Sequence, residues 1–351
     1  MPRWLTISLL TSLTLIAKAD NWSHLPPLPD KLGFAGSFAG VSNGALLVAG
    51  GANFPDKKPW EGGAKVWTDA VYVLDRPDAN WRLAGHLPHP LGYGVGVTYH
   101  DAVICAGGSD AKRHYADVFR LDYRDGKLTT TPLPPLPKTI ANACGAIVGD
   151  TLYVAGGLES PDAKETLNTV YTIDLAQSPP RWAELYSWPG GGRMLAVAAS
   201  SGGMFWVIGG ADLVVGPDGK TTRRYLKNVY NYGFKSRWQR AADLPWAVVA
   251  APSPAPADIS ADSSGPYILG GDDGSQLTAS PADHHGFERH ILHYQTSTGK
   301  WLETGLIPAD TPAPVTTPCV KWQDRWVIPG GEIRPAIRTP QVSAFTPEKR
   351  E

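Results

Sequence analysis

A short apolar run closed by a pair of glycines recurs six times along this chain. The pairs are Gly50-Gly51, Gly107-Gly108, Gly156-Gly157, Gly209-Gly210, Gly270-Gly271 and Gly330-Gly331. They stand 57, 49, 53, 61 and 60 residues apart, a near-constant period that marks a repeat architecture. Downstream of most pairs comes a strand-like segment such as Val71-Tyr72-Val73-Leu74-Asp75 or Val170-Tyr171-Thr172-Ile173-Asp174. A tryptophan follows in four of the units (Trp81, Trp182, Trp238 and Trp301), usually trailed by a Leu-Pro turn. The second unit has Leu128 and Thr129 near that place instead.

This unit resembles the kelch motif, in which a glycine doublet and a later tryptophan mark successive strands of a propeller blade. A run that is apolar at every position, such as Leu46-Leu47-Val48, suits a strand covered on both faces. The expectation is that it takes the inner position of the blade, with the glycines allowing φ > 0 and close backbone approach near the channel. Composition agrees. Glycine and proline together make up 70 of 351 residues, about 20%, against roughly 12% in an average chain, which disfavours a helix-rich fold. With 42% apolar residues and 13 tryptophans there is ample material for a core.

The last unit is incomplete. Val342-Ser343-Ala344-Phe345 reads as a strand, but no tryptophan strand follows it. The segment from Trp22 to Pro29 parallels the one from Trp81 to Pro88, so the N-terminal segment is expected to supply the outer strand of the sixth blade. That pairing removes an open seam. The fold expected is therefore all-β, a six-bladed kelch-type propeller closed by an N-terminal strand, over residues 20–351.

Residues 1–19 read separately. Arg3 precedes a mostly apolar stretch over residues 5–16, and Ala17-Lys18-Ala19 has the small-x-small form of a cleavage site, the pattern of a secretory signal peptide. A periplasmic or secreted protein is expected. Cleavage after Ala19 leaves 30 basic and 33 acidic residues, a net charge of −3. That balance gives no electrostatic case for binding nucleic acid or an anionic membrane, and no later stretch is long and apolar enough to span a bilayer. Nothing in the sequence fixes the oligomeric state. Cys105 and Cys144 lie in apolar strand-like contexts, where buried thiols are the plain expectation; a disulfide between them cannot be argued from spacing.

A propeller does not by itself define a function. The residue after each glycine pair samples one rim of the channel: Ala52, Ser109, Leu158, Ala211, Asp272 and Glu332. The two carboxylates stand out, because a charge at an enclosed mouth is costly unless paired or used. Arg334 and Arg338 follow Glu332 and could hold a substrate carboxylate; a Glu332–Arg338 pair that merely braces the loop is the structural alternative. Asp272 could support the acid–base pair, while a turn ending at Gly274 is the plainer reading of Asp272-Asp273.

The block from Gly33-Phe34-Ala35-Gly36-Ser37-Phe38-Ala39-Gly40 to Ala49-Gly50-Gly51-Ala52-Asn53-Phe54-Pro55 resembles the N-acetylneuraminate epimerase, or sialic acid mutarotase, family. So does Pro59-Trp60-Glu61-Gly62-Gly63 with Lys65 and Trp67, and so does Gly331-Glu332-Ile333-Arg334-Pro335-Ala336-Ile337-Arg338-Thr339. The resemblance implies Glu332 as proton acceptor and Arg338 as its active-site partner. It also implies Arg193, in Gly191-Gly192-Arg193-Met194, as a substrate-binding candidate, whereas Leu91-Gly92-Tyr93-Gly94 lacks the corresponding arginine. The Phe-Ala-Gly block opens this chain where the best-known members carry it late, so the chain resembles a cyclically permuted branch. The implied reaction exchanges the α- and β-anomers of a sugar acid by ring opening and closure, with neither metal nor cofactor.

Three other readings compete. A kelch propeller can be a protein-interaction scaffold without catalysis. A copper oxidase would need a His, Tyr and Cys cluster; His284, His285, His290 and His293 read more simply as a solvated region of the fifth blade. A sialidase would repeat a Ser-x-Asp-x-Gly-x-x-Trp box, of which Ser297-Thr298-Gly299-Lys300-Trp301 is one partial echo.

Overall fold

The computed structural model describes residues 21–233, 237–257 and 264–347. The proposed signal peptide therefore lies outside the described residues. Six small antiparallel sheets form a six-bladed β-propeller. Blade 1 runs from the channel outward through Phe38–Ser42, Ala45–Ala49, Ala70–Leu74 and Arg82–His86. Blades 2, 3 and 4 repeat this four-strand order, and blade 5 shows three strands, Ser264–Gly271, Glu288–Gln295 and Lys300–Leu306. Blade 6 draws on both ends of the chain. Val320–Trp322, Arg325–Pro329 and Val342–Thr346 are completed on the outside by Asn21–Leu25, with Trp22 opposite Phe345.

In blades 1 to 4 and 6 the glycine-pair strand is not the innermost one, as expected, but the second; in blade 5 only an isolated bridge from Ala257 to Pro266 lies inside it among the described residues. The inner strand of the other five has little sequence signal, such as Phe38–Ser42 or Cys144–Val148. The reason the glycine-pair strand is apolar throughout is geometric. Successive side chains of a strand point to opposite faces, and each face of a blade packs on a different neighbour. Leu47 and Ala49 join the core between blades 1 and 2, while Leu46 and Val48 join the core between blades 6 and 1. The hydrophobic interior is thus six separate slabs, one per blade interface, with a seventh apolar cluster at the channel mouth around Met194, Val249 and Val315.

All twelve glycines of the six pairs adopt positive φ. Gly50 shows why: a Cβ there would sit 2.2 Å from the Leu91 carbonyl oxygen of the next blade, apart from the backbone strain. All three cysteines are free and buried, and burial pushes the Cys144 thiol up to about 12.

Candidate active site

The six residues after the glycine pairs do form one rim. Each makes an isolated bridge to the segment leading into its own innermost strand: Ala52 to Ala35, Ser109 to Gly92, Leu158 to Ala141, Ala211 to Met194, Asp272 to Val249 and Glu332 to Val315. One residue past each bridge the backbone turns left-handed, at Gly36, Tyr93, Asn142, Leu195, Ala250 and Thr316, with φ between 53° and 71°. Five of these six are not glycine, a conformation that costs about 1–3 kcal/mol each unless the surroundings impose it.

A closed ring of hydrogen bonds imposes it. The Tyr93 N–H donates to the Gly36 carbonyl at 2.7 Å, Asn142 to Tyr93 at 2.8 Å, Leu195 to Asn142 at 2.8 Å, and Ala250 to Leu195 at 2.8 Å. Thr316 then donates to Ala250 at 2.7 Å, and Gly36 to Thr316 at 2.8 Å, completing the circle. The cavity lined by this ring is only about 70 Å³. That is well below the ~300–1,000 Å³ typical of a small-molecule pocket, so a sugar acid would sit on the ring rather than pass through it.

Three two-stranded hairpins rise on this face, inserted into blades 1, 4 and 6: Ala52–Asn53 with Val66–Trp67, Ala211–Val215 with Thr221–Tyr225, and Glu332–Arg334 with Ile337–Arg338. The blade 6 hairpin sets Glu332 opposite Arg338 in register, and the Arg338 Nη2 donates to Glu332 Oε2 at 2.8 Å. The Arg338 side chain is 3% exposed and lies over the Phe54 ring, 4.8 Å from its centroid. Its Nε and Nη1 are buried without a hydrogen-bond partner among the described residues. A guanidinium with two spare nitrogen donors beside a more exposed carboxylate can bind an anion and exchange a proton in one place.

The other sequence candidates fall elsewhere. Arg193 is 1% exposed, between blades 3 and 4. Its Nη1 donates to the Gly209 carbonyl at 2.8 Å, its guanidinium faces the Trp188 and Tyr230 rings, and desolvation lowers its pKa to about 10. It is sunk in a blade interface, apart from the Glu332–Arg338 pair. Asp272 has both oxygens engaged: Oδ1 accepts from the Gly274 N–H at 3.0 Å, which is the turn read from the sequence, and Oδ2 from the Tyr225 hydroxyl at 2.6 Å. It braces the blade 4 hairpin against blade 5. Arg334 lines a neighbouring groove of about 570 Å³ with His284, Phe287 and Asp310. A register irregularity between Glu332 and Arg334 separates it from the pair.

Two of the four histidines depart from the expectation of a solvated region, while His285 is exposed and His290 partly so. His284 is 5% exposed, packs edge-on against Phe287, and accepts the Gly286 N–H on Nδ1 at 3.1 Å, which leaves the proton of the neutral ring on Nε2. Desolvation lowers its pKa, and its electrostatic neighbours include Asp272, Arg334 and Glu332. His293 is buried within blade 5, stacked on Tyr267 at 4.0 Å. The sequence marks His284 only as one of four histidines in a solvated region, because no periodic signal in an irregular loop tells a buried ring from an exposed one. The opposite mouth has a wider cavity of about 440 Å³, but among the described residues its lining has one cation, Lys321, and no carboxylate to take a proton.

Fold and site together define a class: a six-bladed β-propeller carrying a carboxylate–guanidinium pair on the rim of its central channel. Comparison with known proteins narrows it. Residues 5–130 match the family model of N-acetylneuraminate epimerase. The chain is 43% identical over 119 residues to the N-acetylneuraminate epimerases of Salmonella enteritidis PT4 and Salmonella typhi, covering 30% of this chain and 30% of each relative. It is 38% identical over 128 residues to that of Haemophilus influenzae strain PittEE, covering 32% of this chain and 34% of the relative. The chain thus spans about 30% of the length of the curated relatives it matches. The family-model match takes in blade 1 and nearly all of blade 2, including Phe54, Lys65 and Trp67; Glu332 and Arg338 lie beyond it.

Proposed function

We propose that this chain is an exported mutarotase that interconverts the α- and β-anomers of N-acetylneuraminate or a related sialic acid. The observation that carries the reading is the Glu332–Arg338 pair: a carboxylate held in register by an arginine that keeps two unpartnered nitrogens. The similarity of residues 5–130 to N-acetylneuraminate epimerases supports the substrate class. A cyclic shift in blade order accounts for a collinear match confined to one stretch of the chain.

The chemistry asks for little more. Glu332 takes the proton of the anomeric hydroxyl as the bond from the anomeric carbon to the ring oxygen breaks. The oxygen left on the anomeric carbon becomes the carbonyl of the open-chain keto form, and the ring oxygen takes a proton from water. Rotation and reclosure on the other face reverse the transfers, and Glu332 returns its proton. In a sialic acid the carboxylate sits on the anomeric carbon itself, so the spare Arg338 N–H groups would hold it and stabilise charge developing beside it. Acid–base assistance of this kind is worth about 10²–10⁴-fold.

Proton NMR of freshly dissolved α-N-acetylneuraminate tests the reading. Wild-type protein should hasten approach to anomeric equilibrium, and Glu332→Gln should lose about 10²-fold or more of that acceleration. Absence of acceleration by the wild type would defeat the activity; an unchanged rate in the variant would defeat the site. Export is tested by the N-terminal sequence of the mature protein, which should begin at Asp20.

A further inference from the structure

The blade 1 hairpin brings a second cation to the same mouth. Ala52 and Asn53 pair with Trp67 and Val66, so Phe54 and Lys65 occupy the next position on opposite strands. Phe54 is the ring under Arg338, so the same end of this hairpin carries both the Arg338 platform and Lys65. The Lys65 ammonium lies 4.8 Å from the centroid of Tyr93 and 5.4 Å from that of Trp67, two rings set edge to face at 6.2 Å. Tyr93 belongs to the hydrogen-bonded ring at the mouth, and a Cβ on Gly36 would fall 2.7 Å from its ring, so its position is tightly fixed.

Nothing in this cluster is neutralised. Lys65 makes no ion pair among the described residues, and the Tyr93 hydroxyl and Trp67 Nε1 are buried without a hydrogen-bond partner there. Arg338, by contrast, already carries Glu332. An ammonium held against two ring faces is oriented and partly stripped of water while its charge stays unmet, an arrangement suited to an anion.

We infer that Lys65, framed by Trp67 and Tyr93, is a substrate-binding residue that shares the carboxylate of the sugar acid with Arg338 and so selects acids over neutral sugars. The inference rests on the proposed mutarotase reading for its substrate. The ammonium meets one carboxylate oxygen and the spare guanidinium N–H groups the other, leaving the anomeric hydroxyl to Glu332. Lys65 takes no part in proton transfer, so its loss acts on KM and leaves kcat nearly unchanged.

The test uses Lys65→Met, which keeps the side chain's length and apolar stem, and Lys65→Arg, which restores the charge. Mutarotation of N-acetylneuraminate is followed by NMR, its binding by calorimetry, and the methyl ester of the same sugar serves as the neutral comparison. Expected is a rise in KM of about tenfold for the acid in Lys65→Met, kcat within about twofold, partial rescue by Lys65→Arg, and no change toward the ester. An unchanged KM for the acid in a folded Lys65→Met protein would overturn the assignment while leaving the mutarotase reading intact. Lys65-dependent binding without catalysis by the wild type would sustain the anion site and overturn the mutarotase. Neither binding nor catalysis by the wild type would overturn both.

Discussion

At the residue scale the outer tryptophans explain why the repeat keeps them. Trp81 Nε1 donates to the Pro26 carbonyl at 2.7 Å, Trp182 to Pro134 at 2.8 Å, Trp238 to Tyr186 at 2.6 Å and Trp301 to Ala242 at 3.0 Å. In every case the acceptor lies just past the outer strand of the preceding blade, so each indole bolts one blade to the one before it. Blade 2, which lacks the tryptophan, substitutes packing: Leu128 lies against blade 1 at Gly85, where an added Cβ would come within 3.0 Å of it. Trp22 carries the same signature in blade 6, yet its Nε1 is buried without a partner among the described residues. Trp81→Phe should therefore destabilise by about 1 kcal/mol more than Trp22→Phe, the worth of one hydrogen bond to a part-buried carbonyl, read as the difference between their chemical-denaturation midpoints. These four bolts were visible in the sequence as a period of tryptophans. Their acceptors were not, because a carbonyl oxygen is present at every residue and only the blade-to-blade offset selects one.

At the scale of the element, the three hairpins on the mouth face and the blade 5 loop decide the site's electrostatics. The hairpin register places Glu332 on Arg338, and the Tyr225–Asp272 bond ties the blade 4 hairpin to the loop region that carries His284. Burial holds both His284 and His114 below the ordinary histidine value. As pH falls, the unfolded chain therefore takes up these protons before the folded one does. The stability the two neutral rings contribute is complete above about pH 6.5 and drains away as pH drops toward their lower folded values. Melting temperature should decline between pH 7 and pH 5, and His284→Gln should flatten part of that decline. A slope identical to wild type would place the acid sensitivity elsewhere. Of this layer the sequence showed Asp272 and Glu332 as charges breaking a neutral rim, with Arg338 following Glu332. It did not show that Arg193 is sunk between blades 3 and 4, since spacing along a chain carries no information about which side of an interface a long side chain enters.

At the scale of the whole molecule, closure is the dominant fact. The ladder from Asn21–Thr346 to Leu25–Val342 joins the two ends of the described chain in one sheet, and Leu25 and Leu28 complete the core between blades 6 and 1. Removing residues 20–30 would strip that strand, expose the edge of Val342–Thr346, open the apolar slab and delete the acceptor of Trp81. The melting temperature should fall by about 10 °C or more; an unchanged value would contradict closure as a source of stability. The six-membered hydrogen-bond ring is closure in miniature. It shares the strain of five left-handed residues among all six blades, and so fixes Tyr93 beneath the site.

The sequence by itself determined the number of blades, the places of the glycine pairs and outer tryptophans, and the closing N-terminal strand. Each of these recurs at a near-constant interval, and local chemistry (a glycine's φ, a strand's alternation) needs no partner to be read. Only the tertiary structure decided that the glycine-pair strand is second from the channel, that a carbonyl ring floors the mouth, and that Lys65 stands across a hairpin from the Arg338 platform while Arg193 does not. Those facts depend on how one blade rotates against the next. That rotation is set by packing summed over many residues, none of which announces it alone.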